Sequence, residues 1–594
     1  MSQLKKRAEM DPKWMWNLND ILDGTEAFNA LFEKAEKALV AFAALQGHVA
    51  DDPRKAIRMN FEGTRMIEKL FTYARMHSDE DGADSEAQLL LTRIQGLAAR
   101  AAGQSAFLQP ELLALPEETL KEMMDDPDFS EYDVFIEDIL RDKPHTLPAE
   151  QEKLLAMAGE VMGAPHSIFN MLSDVDMPKP TVKDEDGSDV KLSGATYGRL
   201  LHSRNRDARK GAYEAMMKMY GDFRSTISTT YRYNVKKDVF SARVRGFGSA
   251  VEASLHPDRI PVKVYDNLLE SVENALPAMQ KYLKLRKKAL GVDELHLYDL
   301  YVPIVSDFDM EMTYPEAFQV VKKGLRPLGE RYAQLLDKAY TEGWIDVYEN
   351  EGKCSGAYSW GVYDSHPYVL LNHTDNLNGA MTLAHELGHA MHSYHSNEAL
   401  PYTKAGYSLF VAEVASTCNE MLLMHALMNE YKDDKKASAF LANQLLEEFR
   451  GTVFRQTMFA AFERESHRME EAGIPLTADT LSNVHYKLNE KYYGGECVID
   501  ECVHHEWMRI PHFYRSFYVY KYATGFSAAV YIANRIMTEG EPAVKDYFRF
   551  LSAGGSVPPL EALKYAGVDM EDPATVQDAL KVFADTVDKL EALL

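Results

Sequence analysis

The sequence predicts a mainly α-helical fold with a small β component, and three observations carry that reading. Apolar residues recur at three-to-four spacing through most of the 594 positions. Only two segments, with a weaker third, combine the β-branched and aromatic residues of strands. No fixed-period self-similarity runs along the chain, so a solenoid is not expected.

In chain order, periodic stretches at 27–46, 54–76, 84–107 and 115–125 predict the first helices. Breakers at Asp51-Asp52-Pro53, Asp126-Pro127 and Lys143-Pro144 punctuate this region. At 180–192 two short β-leaning runs flank Asp184-Glu185-Asp186-Gly187, which predicts a hairpin. Helical spacing resumes over 197–221, 262–290, 315–341 and 433–471, with 295–305 as a candidate strand. At 354–373 glycine, aromatic and β-branched residues crowd together, and Tyr368–Leu371 reads as a buried strand.

Composition excludes several classes. Hydrophobic residues at 46% and charged residues at 26% are the balance of an ordinary globular chain. Against 65 Lys+Arg stand 91 Asp+Glu, a net charge of −26, and no basic run offers a nucleic-acid face. No window approaches 18 uninterrupted apolar residues, so no membrane span is expected. The N-terminal MSQLKKRAEMDPKWMW meets charge before any apolar stretch, which predicts no secretory signal. Four cysteines in so long a chain predict a reducing compartment, most simply the cytoplasm.

The chemistry concentrates in Thr382–His392, TLAHELGHAMH. On a helix His385 and His389, four apart, lie one above the other and can hold one Zn²⁺. Glu386 then sits beside the metal without ligating it, placed to take a proton from water. With 19 histidines, H-E-x-x-H arises by chance roughly once in twenty such chains, so other features must support it. Leu383, Leu387, Ala390 and Tyr394 form an apolar opposite face. Tyr368–Leu371 lies just upstream, with an edge that an extended peptide could pair with. Downstream, Glu413 interrupts the apolar run FVAEVA, where a carboxylate is costly unless paired or metal-bound. Glu413 completes a His₂Glu set with one position open, the catalytic arrangement. Glu420, two turns on, can hydrogen-bond a ligand histidine or be a surface residue. His392 and His395 are read as structural.

A second constellation, Ile510–Phe526, holds His512 and four tyrosines, among them Tyr514, Tyr518 and Tyr520. A His or Tyr donor can stabilise the oxyanion of peptide hydrolysis, and the same rings could simply form a core stripe. Cys497 and Cys502 show a metal-like spacing without a second pair of ligands, and are read as loop.

HELGHAMH, then FVAEVASTCNE, then PHFYRSFYVYKYATG together resemble the M3 family of thimet-type zinc oligopeptidases, within it the oligoendopeptidase F branch. GAYSWGVYDSHPYVLLN and WMWNLNDIL fit the same branch. The resemblance implies an elongated multi-helix zincin-type fold, a small β-sheet at the active site and a deep substrate channel. It implies one zinc per chain held by His385, His389 and Glu413, with Glu386 as general base. The hairpin near 190 marks the expected boundary between an N-terminal helical region, 1–195, and a catalytic region, 196–594. Thimet-type relatives carry a Gly-rich loop between the histidine and the tyrosines. Here five residues separate His512 from Tyr518, so that loop is shortened. Tyr520 is the first choice as oxyanion donor beside His512, with Tyr368, Tyr514 and Tyr518 expected to contact substrate.

The expected function is therefore hydrolysis of internal bonds in short unfolded peptides by metal-activated water, with neither nucleic acid nor membrane as partner. A zinc carboxypeptidase, with Arg515 available for a terminal carboxylate, is the alternative within enzymes. A peptide-binding protein with a vestigial motif is the alternative outside them. A channel on the order of 30 Å deep would hold roughly ten extended residues, which predicts substrates of about five to twenty residues.

Overall fold

The computed structural model describes residues 4–305 and 310–594. Helices dominate, as the spacing predicts, and they form two compact units that interleave along the chain. The first comprises Met1–Thr146, Asp309–Ala426 and Ile532–Val568; the second comprises Leu147–Phe308, Leu427–Tyr531 and Asp569–Leu594. The boundary expected at 195 follows chain order, whereas neither unit ends there.

The early helices start where the sequence offers caps. Asp52 accepts from Lys55 N–H, with Pro53 in the first turn, and opens Pro53–Glu80. Asp84 accepts from Glu86 and Ala87 N–H and opens Ser85–Ser105. Their apolar faces bury Leu70, Tyr73, Leu90, Ile94 and Leu97 against Phe28 and Phe32 of Gly24–Ala43. Burying each such side chain contributes about 1.5–3 kcal/mol. A second cluster gathers Phe42, Val49, Leu112, Phe129 and Ile136.

The β component consists of short strands: β1 Thr181–Lys183, β2 Asp189–Lys191, β3 Leu295–His296, β4 Ile345–Asp346, β5 Tyr358–Trp360, β6 Tyr368–Leu370 and β7 Cys497–Val498. The hairpin β1–β2 pairs Val182 with Val190, as the Asp-Gly turn predicts. β3 pairs in parallel with β7. The 295–305 run keeps only two strand residues, because Leu297–Asp299 turns into a 3-10 helix. In the first unit β6 is the central strand, parallel to β4 and antiparallel to β5. The N-terminal segment is tied to this sheet region by Asn17 N–H to Gly343 O at 2.7 Å and Val347 N–H to Trp14 O at 3.0 Å.

Three long periodic runs each divide in two. Asn205 caps a new helix, Arg206–Gly221. Ala275 separates Val262–Asn274 from Leu276–Leu290, where Pro277 fits the first turn. Gly329, at φ +89, separates Tyr314–Gly324 and a 3-10 turn from Glu330–Thr341. Periodicity passes over the helix Arg224–Val244 because it buries Ser228, Thr230 and Asn234 beside its apolar residues, which blurs the pattern. All four cysteines are free thiols, and among the described residues no helix is long and apolar enough to cross a membrane.

Candidate metal centre

The helix Leu377–Ala399 opens where the Asn376 side chain accepts from Gly379 N–H at 3.0 Å. Leu383, Leu387, Ala390 and Met391 are fully buried, so one face is fixed to the core. His385 and His389 are left one turn apart on another face. Helix Ala412–Glu430 supplies a third donor, and Gly388 sets how close it comes. A Cβ at Gly388 would lie 2.5 Å from Ser416 Cα and 2.6 Å from Ala415 O. Glycine alone lets the two backbones meet, and Glu413 then reaches the histidines.

His385 Nε2 and His389 Nε2 stand 3.2 Å apart, and Glu413 Oε2 lies 3.3 Å from each. Ligands tetrahedrally arranged about 2.05 Å from one ion are about 3.3 Å from each other, so the triangle fits zinc with the fourth corner open. Two imidazoles and a carboxylate are also the donor types zinc accepts. Burial would raise the Glu413 carboxyl, yet its bonds to His385 and His389 hold it well below the ordinary range. Burial would lower His385, yet Glu413 and Glu420 hold it well above. The two shifts are one coupling seen from its two sides: carboxylate and imidazoles stand close enough to stabilise each other's charged forms.

Around the triangle, Glu420 Oε2 lies 3.3 Å from His385 Nδ1, which keeps Nε2 aimed inward. Asn419 Nδ2 donates to Ala384 O at 3.0 Å and Asn419 Oδ1 accepts from the Tyr332 hydroxyl at 2.9 Å, joining the two helices. Glu386 is 7% exposed, and its Oε2 is buried without a hydrogen-bond partner. Burial lifts its carboxyl above the usual range, with His385 and His389 opposing in part. An orphaned carboxylate oxygen beside such a donor set calls for a bound molecule. His392 stacks on Tyr407 at 3.7 Å, and burial pushes its imidazole down to about 3. His395 is likewise lowered to about 4 by burial, so neither competes as a charged group.

Several expected contact residues stand elsewhere than the sequence suggests. Tyr368 is fully buried and its hydroxyl donates to Asn17 O at 3.1 Å, so it does not meet a substrate. Its strand, β6, is hydrogen-bonded on both sides, which removes the edge it was expected to offer. An outer strand is β5, Tyr358–Trp360, half-buried and bracketed by Gly356 and Gly361.

In the second unit Tyr514 is buried, its hydroxyl bonded to Thr230 at 2.6 Å and its ring stacked 4.4 Å from Phe169. Tyr520 is also fully buried, its ring 5.0 Å from Tyr265. These two belong to the core of that unit and are not exposed to substrate. His512 is exposed and groups with Tyr518 and Tyr522: ring centroids stand 6.2 and 6.1 Å away, and Tyr522 Oη is 3.5 Å from His512 Nε2. Partial desolvation and the Arg515 guanidinium lower the His512 imidazole, which keeps it neutral. The signal for Tyr522 was its spacing. On a helix residues two apart diverge by about 160°. Tyr520 and Tyr522 open the helix Tyr520–Glu539 two residues apart and so diverge: Tyr520 is buried, while Tyr522 meets Tyr518 of the preceding segment, their ring centroids 5.4 Å apart.

The family model described as peptidase family M3 matches residues 199–582, and the one described as oligopeptidase F matches 111–178. Oligopeptidase PepF of Bacillus subtilis is 43% identical over 100% of this chain and 89% of its own length. Group B oligopeptidase PepB of Streptococcus agalactiae is 39% identical over 99% of this chain and 98% of its own. Among solved structures, the oligoendopeptidase-F from Enterococcus faecium superposes with a TM-score of 0.75 at 34% identity, covering 96% of this chain and 99% of that one. A solved chain from Chlamydophila abortus gives 0.92 at 33% identity, with complete coverage of both.

Proposed function

Because this chain belongs to peptidase family M3, in its oligopeptidase F branch, we propose that it is a zinc endopeptidase that cleaves internal bonds of short, unfolded peptides. The observation that carries this reading is the triangle of His385 Nε2, His389 Nε2 and Glu413 Oε2 with an unpartnered Glu386 oxygen beside it. A zinc ion held by His385, His389 and Glu413 would supply Lewis acidity there.

The chain's own residues do the rest. Glu386, a carboxylate in a poorly solvated position, accepts a proton from the attacking water and delivers it to the leaving amine. Glu420 holds the His385 ring in place through Nδ1. The outer strand β5 offers backbone groups to an extended peptide, the one substrate shape that can pair with a strand edge. In the second unit, His512 with Tyr518 and Tyr522, rather than the buried Tyr520, is the group we propose as neutral hydrogen-bond donors.

The test is an internally quenched peptide blocked at both ends, incubated with protein whose zinc content has been measured. Cleavage at an inner bond supports the endopeptidase. Cleavage only when the C-terminus is free would make it a carboxypeptidase, and zinc without any cleavage would make it a binding protein. Denatured casein adds a length test: rapid digestion would replace the oligopeptidase reading with a general protease.

A further inference from the structure

We infer that the second unit holds a buried anion site, built by Arg450, Arg455 and Arg509 with the hydroxyls of Tyr301 and Tyr493, which takes a small oxyanion of the phosphate or carboxylate type. Backbone geometry is the first support. Helices Lys435–Glu448 and Arg455–Glu471 are joined by a π-helical turn, Phe449–Phe454. In an α-helix residues five apart point about 140° from one another. With i→i+5 hydrogen bonds they come nearly into line, so this turn brings Arg450 and Arg455 to one side. Such turns are rare and concentrate where a site needs them.

Charge is the second support. Arg450 Nη2 pairs with Glu447 Oε2 at 2.7 Å, and Arg286 Nη1 reaches the same carboxylate at 3.0 Å. Arg455 Nη2 pairs with Glu506 Oε1 at 2.7 Å, while Arg509 Nη2 comes no nearer to that oxygen than 3.7 Å. Four guanidiniums thus share two carboxylates. His485 adds no charge, because burial keeps its imidazole below the usual range despite Glu506 at 3.0 Å. Arg286 and Arg450 are 0% and 4% exposed. Uncompensated positive charge at such depth is costly, and a bound anion removes the cost.

The unused groups are the third support, since all of them can donate. Arg509 Nε and Tyr493 Oη are buried without a hydrogen-bond partner. The Arg450 guanidinium stands 4.7 Å from the Tyr301 ring. Burial would raise the Tyr301 hydroxyl, yet Arg455 and Arg450 outweigh it and draw it below the ordinary phenol range. The Arg455 and Arg509 side chains retain 14% and 22% exposure, which leaves a way in. Forked guanidinium donors match the paired oxygens of phosphate and carboxylate.

A free inorganic ion and the carboxylate of a peptide end share this chemistry, and one experiment separates them. The thermal unfolding midpoint of the zinc-loaded full chain is followed against sodium phosphate and, separately, sodium acetate, with ionic strength held constant by a bulky sulfonate salt. A saturable upward shift is expected, stronger with phosphate if the occupant is inorganic and stronger with acetate if it is a carboxylate. Arg509→Gln and Tyr493→Phe should each raise the half-saturating concentration about tenfold or more, the worth of a charge-assisted or otherwise unreplaced donor. Tyr493→Phe removes one oxygen and keeps the packing, so it serves even if the Arg509 variant fails to fold. No saturable shift with either salt, or a shift unchanged in Tyr493→Phe, overturns the assignment.

Discussion

Gly388 and Ser416 meet so closely that a Cβ on the glycine would lie 2.5 Å from the Ser416 Cα. The glycine of the HELGH motif is therefore what lets the helix bearing Glu413 approach the helix bearing both histidines. Gly388→Ala should force the helices apart, at about 1–3 kcal/mol for an overpacked core. Zinc titration and thermal unfolding of the variant should show weaker metal binding together with a lower midpoint. Unchanged affinity would mean that Glu413 is held by something other than this contact.

Glu386→Gln should retain zinc, because the residue is no ligand, while hydrolysis falls by about 10²–10⁴-fold. Metal analysis and peptide turnover on the same preparation check both halves. A variant with about a tenth of the parent rate would rule out the general-base role.

Glu413 and Glu420 touch opposite nitrogens of His385, at 3.3 Å each. Glu413→Ala removes one of three donors and should release most of the zinc. Glu420→Ala should weaken affinity or activity by about 10–100-fold. If the Glu420 variant loses more metal than the Glu413 variant, the two roles are reversed.

The grouping of exposed His512 with half-buried Tyr518 and Tyr522 leads to a contrast with buried Tyr520. Tyr518→Phe and Tyr522→Phe should each lower kcat with KM nearly unchanged, by up to about 10²–10³ where the hydroxyl faces the oxyanion. Tyr520→Phe should move stability more than kcat. Steady-state kinetics decide, and a kcat loss confined to Tyr520→Phe would restore the expectation drawn from sequence.

Glu463 is fully buried and accepts a hydrogen bond from the N–H of Phe517, a residue held at φ +57, at 3.0 Å. Burial and then the nearby Asp238 charge raise its carboxyl well above the ordinary range, with the Phe517 bond opposing. A raised folded-state pKa means the contribution is complete below the unfolded value of about 4.3 and is lost as pH rises through the folded value. Glu463→Gln keeps the acceptor and cannot ionise. The midpoint of the parent relative to the variant should therefore fall as pH increases from about 5 to 9. Asp238, which lies 3.3 Å from His467, is the charged group that acts on Glu463. Parallel pH profiles would remove Glu463 as the source.

Much of the fold was legible because helical spacing is a local property. The early helices, the hairpin and the β6 strand all followed from pattern and breakers. The divisions inside 262–290 and 315–341 were not legible, since a new cap or a positive-φ glycine interrupts a helix without disturbing its apolar period. Arg224–Val244 was passed over because buried Ser, Thr and Asn look like surface until their neighbours are known.

By itself the sequence determined the donors of the candidate metal site. His385, Glu386 and His389 lie within one turn, where helix geometry alone dictates which side chains share a face, and Glu413 stood out as a carboxylate in an apolar run. Tertiary structure decided everything that depends on partners distant in the chain. It made β6 a central strand, so that Tyr368 lies inside and β5 is an outer strand. It turned Tyr520 onto Tyr265 and left Tyr522 beside His512. It also gathered arginines from separate segments around Glu447 and Glu506. Burial and pairing across long sequence separations are set by packing, and no local pattern encodes which neighbour arrives.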